Sequence, residues 1–337
     1  MRSVISDILE DGGVEVVATV RNGREAIEAV RAHGPDVVTM DVEMPEMNGI
    51  EAVERIMAEQ PTPILMLSAH TDENADVTFE ALEKGAVDFF TKPGGEVSME
   101  MSRLKDQLLD MVRSVAEVDV SPGADRPEPS GTSGQTIAPG STVENATLVI
   151  GSSTGGPTVV ERILSELPAE ADLRILVVQH MPTDFTGRFA TRLNKRSQYT
   201  VREAADGDRI GGGEALVAAG GRHLVVSNYR SGRLRVALTE DDPVNSVRPS
   251  VDVTMESAAE VIEDPLVGVI LTGMGTDGAA GIQAIKATGG ATLAQDEASS
   301  AVYGMPKRAV ETGAVDAVCP LEDVSDRILD AINAEVH

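Results

Sequence analysis

The chain has a single cysteine, Cys319, which excludes an internal disulfide framework and any CxxC metal or redox site. No stretch approaches the roughly 18 consecutive apolar residues that a membrane helix needs. The opening residues Met1-Arg2-Ser3-Val4-Ile5-Ser6-Asp7 place an acid where a secretory signal would stay apolar. These absences predict a cytoplasmic protein with no membrane insertion. Positive charge is scarce too: 28 Lys and Arg face 55 Asp and Glu, for a formal net charge of −27. A duplex nucleic-acid binder needs a basic face to neutralise phosphates, and this chain supplies one poorly, so no nucleic-acid partner is expected. Self-repulsion on this scale needs screening, and at about 1 M salt the Debye length is only ~3 Å. The acidity reads as adaptation to a salty cytoplasm, with an ordinary acidic enzyme as the plainer alternative.

What is present is enough for two domains: 337 residues, 42% of them hydrophobic. From Ser114 to Glu144 the composition turns to Pro, Gly, Ser and acids, as in Ser121-Pro122-Gly123-Ala124-Asp125-Arg126-Pro127, and predicts a flexible linker. The expected division is therefore 1–113, a linker over 114–144, and 145–337.

Both blocks alternate strand and helix signals, the mark of parallel α/β folds. In the first, the pattern predicts helices over 1–11, 23–32, 49–59, 71–84 and 99–112. Strands are predicted at Val14–Val20, Val37–Met40, Ile64–Leu67 and Val87–Phe90. In the second, strands at 147–150, 175–178, 266–271 and 291–294 alternate with helices. Residues 200–240 alternate and turn often, suggesting antiparallel strands.

Three reactive side chains of the second block directly follow predicted parallel strands: Ser153, His180 and Asp277. Open parallel sheets build their sites outside the carboxyl ends of their strands, so these three can meet. Gly151-Ser152-Ser153-Thr154-Gly155 fits the G-x-S-x-G strand–turn–helix elbow, which pushes a hydroxyl outward. A phosphate-binding turn is the plainer reading of that motif. Serine needs a neighbouring base to act as a nucleophile. Of the five histidines, only His180 ends a strand in the same block, although a structural histidine remains open. Asp277 would hold the imidazole tautomer and stabilise the imidazolium. The order Ser…His…Asp differs from the Ser…Asp…His of ordinary α/β-hydrolases and disfavours that fold. Thr154 is either a helix N-cap or a site residue, the Met274 side chain reads as core, and Cys319 reads as buried and inert.

The motifs Ile150-Gly151-Ser152-Ser153-Thr154-Gly155-Gly156-Pro157, Val178-Gln179-His180-Met181-Pro182, Arg248-Pro249-Ser250-Val251-Asp252, Leu271-Thr272-Gly273-Met274-Gly275-Thr276-Asp277-Gly278, and Ala294-Gln295-Asp296-Glu297 through Tyr303-Gly304-Met305-Pro306 resemble those of the chemotaxis protein-glutamate methylesterases, the CheB family. The resemblance implies a Rossmann-like, three-layer α/β esterase domain. It implies hydrolysis of glutamate γ-methyl esters, and deamidation of glutamines, on methyl-accepting chemotaxis receptors. It casts Ser153 as nucleophile, His180 as base and Asp277 as orienting acid. It further implies that Thr154 contacts the histidine or substrate, that the Met274 backbone N–H joins an oxyanion site, and that catalysis needs no cofactor.

In the first block Asp41, Ser68 and Lys92 end successive strands, an acidic acceptor, a hydroxyl and a lysine suited to phosphoryl transfer. With Lys92-Pro93 they resemble a response-regulator receiver domain of flavodoxin-like fold. That likeness implies Asp41 as phospho-acceptor, Ser68 as hydroxyl switch, Lys92 as phosphoryl contact, a cis Lys92-Pro93 peptide and a chemotaxis histidine kinase as phosphodonor. It implies Mg²⁺ at Asp41 and the backbone carbonyl of Glu43. A receiver opens with a strand and an acidic pair that binds this ion, and both are missing here. Doubly wound receivers order their strands 2-1-3-4-5, so losing strand 1 would leave Val14–Val20 and Val37–Met40 about 10 Å apart and unpaired. The expectation is that the native chain starts upstream, a receiver that tolerates the loss being the alternative.

The leading expectation is thus a phosphorylation-regulated esterase and amidase. A receptor-docking module without activity and a transcription regulator are the competing readings. The linker further suggests a receiver that covers the catalytic face until it is phosphorylated.

Overall fold

The computed structural model describes residues 2–69, 72–92, 100–120 and 145–334. The Lys92-Pro93 peptide, His70, His337 and most of the expected linker lie outside them. The chain divides into two compact units, Met1–Arg126 and Pro127–His337.

The first unit runs α1 (Arg2–Asp11), α2 (Gly23–His33), β1 (Val38–Asp41), α3 (Gly49–Glu59), β2 (Ile64–Ser68), α4 (Asp72–Glu83), β3 (Asp88–Thr91) and α5 (Glu100–Ala116). Asn22 and Asn48 cap α2 and α3, each accepting the backbone N–H three residues on. The strands form a parallel sheet in the order β1-β2-β3, with β2 buried along its whole length. Asp41 lies opposite Leu67 and Ser68 opposite Thr91, so the three strands end together.

Two expectations change here. Val14–Val20 forms no strand: it joins no ladder among the described residues, and Val17 is 45% exposed. Its alternation marks a segment able to pair, but pairing needs another strand's N–H and C=O groups about 4.8 Å away. Among the described residues the one strand neighbour of β1 is β2. Helix α5 also continues through Ser114, Val115 and Ala116 with Val115 fully buried, so these residues belong to the first unit and not to a linker.

The second unit runs β4 (Thr147–Ser152), α6 (Gly156–Glu166), a 3₁₀ turn at Ala169–Ala171, β5 (Arg174–Gln179), α7 (Thr183–Arg196), β6 (Thr200–Glu203), β7 (Arg209–Ile210), β8 (Glu214–Val217), β9 (His223–Arg230) and β10 (Arg233–Thr239). It continues through α8 (Val251–Val261), β11 (Leu266–Ile270), α9 (Ala279–Ala287), β12 (Ala291–Gln295), α10 (Met305–Glu311), β13 (Ala317–Cys319) and α11 (Leu321–Ala334). Seven strands make one parallel sheet, β13-β12-β11-β4-β5-β8-β6. β4, β5 and β11 are buried throughout, as both-face burial in a parallel sheet requires. Helix α6 packs on α7 and α11, while α8 packs on α9 and β9. The second set closes a core that includes Val149, Leu176, Leu224, Val236, Met255 and Ile282.

The antiparallel expectation for 200–240 holds only for β7, β9 and β10, which form their own sheet in the order β7-β10-β9. β6 and β8 instead extend the parallel sheet. Turn frequency marks strand ends but carries no information on which neighbour a strand finds.

Candidate active site

The sheet places the site. β4 is its central strand; the chain builds outward through β5, then returns to lay β11 on the other flank of β4. The crevice outside the carboxyl ends of β4, β5 and β11 is therefore a topological switch point. Ser152 pairs with Gln179, so the next residues, Ser153 and His180, leave the sheet side by side. Ser153 N–H donates to the Thr272 carbonyl at 3.0 Å, and His180 N–H to the Ser152 carbonyl at 3.1 Å. Gly155 turns the chain into α6 with φ 74°, a left-handed conformation that a Cβ would penalise. Gly155 is also the N-cap, which Thr154 therefore is not; Thr154 is buried and its carbonyl accepts from Thr272 Oγ1 at 2.9 Å. A Cβ on Gly273 would stand 2.8 Å from Ser153 Cβ, so the Thr272–Gly273 turn can lie against the serine only as glycine.

His180 Nε2 and Asp277 Oδ2 are 2.8 Å apart. With its Nε2–H given to Asp277, the imidazole keeps Nδ1 for a proton. Among the described residues no hydrogen bond joins Ser153 Oγ to His180, and such catalytic bonds often tighten only when substrate binds. Asp277 is almost fully buried and richly served. Ser250 Oγ donates to Oδ1 at 2.6 Å, Val251 N–H to Oδ2 at 2.6 Å, Asp252 N–H to Oδ1 at 3.3 Å and Asn245 Nδ2 to Oδ1 at 3.0 Å. Ser250, Val251 and Asp252 are the start of α8, whose positive end faces the carboxylate. Burial alone would raise the Asp277 pKa, but His180, Ser250 and Val251 together hold it down at about 2.

A carboxylate whose folded pKa lies below its unfolded value stabilises the fold above the unfolded pKa and loses that contribution as pH falls through the folded one. Asp277 therefore contributes about 2 kcal/mol near neutrality, lost between the ordinary 3.8 and about 2. The stability gap between wild type and Asp277→Asn should close across that window. Urea midpoints of both proteins at a series of pH values measure it, and a gap that widens on acidification contradicts the assignment.

Residues 148–328 match the family described as CheB methylesterase, and residues 1–102 match the response regulator receiver domain. The chain belongs to the CheB methylesterase family. It is 67% identical over 353 aligned residues to a protein-glutamate methylesterase/protein-glutamine glutaminase of Haloarcula marismortui, covering 100% of this chain and 96% of that protein. The identically described protein of Pyrococcus horikoshii is 41% identical, covering 98% and 90%. The crystal structure of the Thermotoga maritima CheB methylesterase catalytic domain is 40% identical with a TM-score of 0.53, covering 56% of this chain and 99% of that one. Halophilic relatives at high identity accord with the acidic composition.

Beside its CheB methylesterase match the chain carries the receiver match over residues 1–102. There Lys92 Nζ donates to both Asp41 oxygens, at 2.8 and 2.9 Å, and Lys92 N–H donates to the Ser68 carbonyl at 2.7 Å. The Ser68 side chain is fully buried and accepts from Thr78 Oγ1 at 2.9 Å, so its hydroxyl is engaged by α4 and not by Asp41. Glu43 N–H reaches Asp41 Oδ1 at 3.3 Å. Receivers generally take up their phosphoryl group with Mg²⁺. Here the Asp41 carboxylate, which Lys92 already holds, and the backbone carbonyl of Glu43 would be the ligands, and among the described residues no three His, Cys, Asp or Glu side chains gather into a metal site.

Several site residues of this CheB-family chain carried no assigned role in the sequence. Gln179 is buried beside His180; its Nε2 donates to the Ser153 carbonyl at 2.9 Å and the His180 carbonyl at 3.3 Å, tying the two strand ends together. His223 is buried, and its Nδ1 accepts the Ser250 N–H at 3.2 Å. An amide N–H can only donate, so the proton of His223 sits on Nε2, which faces the Asp242 carbonyl. Ser250 is the N-cap of α8, its Oγ accepting the Val253 N–H at 3.5 Å. Cys319 is buried in β13, and burial pushes its thiol up to about 11, away from reactivity.

Proposed function

We propose that this chain hydrolyses glutamate γ-methyl esters, and deamidates glutamines, on methyl-accepting chemotaxis receptors, with Ser153 as nucleophile, His180 as base and Asp277 as orienting acid. The observation that carries the reading is the His180–Asp277 pair standing at the strand ends beside Ser153. Ser153 Oγ attacks the ester carbonyl carbon while its proton passes to His180 Nδ1. The buried Asp277 carboxylate stabilises the imidazolium. The tetrahedral intermediate collapses, and methanol leaves with the proton from His180. Water, deprotonated by the same ring, then cleaves the acyl-serine to free glutamate. An amide substrate follows the same path and releases ammonia.

The oxyanion needs N–H donors aimed where charge develops. On the family resemblance we assign that role to the Met274 N–H, with Thr154 as a substrate contact. Release of methanol from methylated receptor membranes is the direct test, and its absence in the presence of intact protein would refute the reading.

For control, Asp41 accepts a phosphoryl group from the chemotaxis histidine kinase and Lys92 pairs with its oxygens. The added charge relieves an inhibition of the catalytic unit by the receiver. Deleting residues 1–140 should raise basal methanol release several-fold. Asp41→Asn in the full chain should keep the basal rate and lose its rise with a phosphodonor. A deleted form no faster than the unphosphorylated chain contradicts inhibition by the receiver. The site lies in a chain whose described helices include none long and apolar enough to cross a membrane.

A further inference from the structure

We propose that Asn245 and Asp252 form a positioning pair for Asp277, in which one side-chain amide bridges two buried carboxylates that helices α8 and α9 exchange at their N-termini. The proposal rests on Asp277 being the orienting acid.

The exchange is reciprocal. Asp277 precedes α9 in the chain yet accepts from Ser250, Val251 and Asp252 at the start of α8. Asp252 belongs to the first turn of α8 yet accepts the Gly281 N–H of the first turn of α9, at 2.7 Å. Each carboxylate thus meets the positive end of the other's helix. The arrangement fixes α8 against α9 and with them the position of Asp277. Its cost is two negative groups close together: Asp252 is only 5% exposed, and among the described residues neither carboxylate bonds to a Lys or Arg.

Asn245 answers that cost. Its Nδ2 donates to Asp252 Oδ2 at 2.7 Å and to Asp277 Oδ1 at 3.0 Å, using both of its hydrogens. Its Oδ1 faces the Thr276 hydroxyl at 3.4 Å, so the amide has one sensible orientation; flipped, its oxygen would oppose two carboxylates. The backbone there is left-handed, with φ 52°, which asparagine tolerates better than most residues. The loop that carries it is pinned by Arg248, whose Nη1 donates to the Glu240 and Asp241 carbonyls at 2.8 and 2.9 Å. Burial and the Asp277 charge both push the Asp252 pKa up, while Gly281 and Asn245 oppose them. The groups facing Asp252 are thus Asn245, Gly278, Gly281 and Asp277, and Asn245 is the one side-chain donor among them.

Steady-state kinetics on the full-length protein with methylated receptor membranes test the pair. Asn245→Ala should lower kcat about tenfold with KM within about twofold, since a donor to a charged group is removed from the machinery and not from the substrate surface. Asn245→Asp, at the same exposed position, should lose more, because it adds a third carboxylate. In an Asp252→Asn background the further loss from Asn245→Ala should shrink to under about threefold, since the repulsion it relieves is gone. A kcat within twofold of wild type for Asn245→Ala, a change confined to KM, an equal loss in both backgrounds, or Asn245→Asp outperforming Asn245→Ala each overturns the proposal. Ser153→Ala in parallel separates the two levels: if it stays active the catalytic reading itself falls, whereas an inactive Ser153→Ala with a fully active Asn245→Ala removes only the positioning pair.

Discussion

Replacing Ser153 by alanine is expected to lower methanol release from methylated receptor membranes by about 10⁴- to 10⁶-fold, and His180→Ala by a similar factor. The size follows from the reaction and the site. A methyl ester needs a nucleophile that water replaces poorly, and the serine hydroxyl becomes one only when its proton has somewhere to go. In the proposed mechanism His180 supplies that place, with Asp277 2.8 Å from its other nitrogen. Members of such a triad act as a unit, so removing the serine or the base should lose nearly the whole effect. Asp277→Asn should cost somewhat less. Its side chain still fits among Ser250, Val251 and Asn245, but it no longer stabilises the imidazolium. Near-normal turnover by Ser153→Ala would show that the nucleophile lies elsewhere. Substitution of the neighbouring Ser152 gives a contrasting readout: it is fully buried and bonded to Gln179 Oε1 at 2.6 Å, so its loss should be felt mainly in stability.

Lowering salt is expected to have the second large effect, on the fold itself. A formal net charge of −27 is tolerable where the Debye length is ~3 Å, near 1 M salt, and much less so at ~10 Å, near 0.1 M. Exposed ion pairs such as Lys84–Glu54 and Arg308–Glu311 are screened by solvent and do not offset the excess of acids. In domains of this size the thermal midpoint moves by roughly 2–4 °C per kcal/mol, so a few kcal/mol of added repulsion should lower it by about 10 °C. Calorimetric scans from 3 M down to 0.1 M KCl measure this. A midpoint that is flat or rises as salt is removed would show that the acidic surface is not an adaptation to salt.

The elements that identify this chain were legible because their signals are local. Gly-rich turns after apolar runs marked the ends of β4 and β11, hydrophobic periodicity marked α2 and α3, and reactive residues at strand ends marked Ser153, His180, Asp277, Asp41 and Lys92. These follow from dihedral preference, helical periodicity and burial on both faces of a parallel strand, which act over a few residues. Other features were set by partners distant in the chain. Val14–Val20 has the pattern of a strand but pairs with none among the described residues, and β6 and β8 joined the parallel sheet when turns alone suggested a meander. Ser68 was legible as a strand-end hydroxyl, but that Thr78 engages it depended on how α4 packs on β2. Roles for Asn245, Asp252, Gln179 and His223 had no local signal, because polar side chains acquire them only where burial leaves a donor facing a carbonyl or carboxylate from another element. Local chemistry determined which residues could react; the order of strands around β4, and the meeting of two helix N-termini at Asp277, decided which of them stand together.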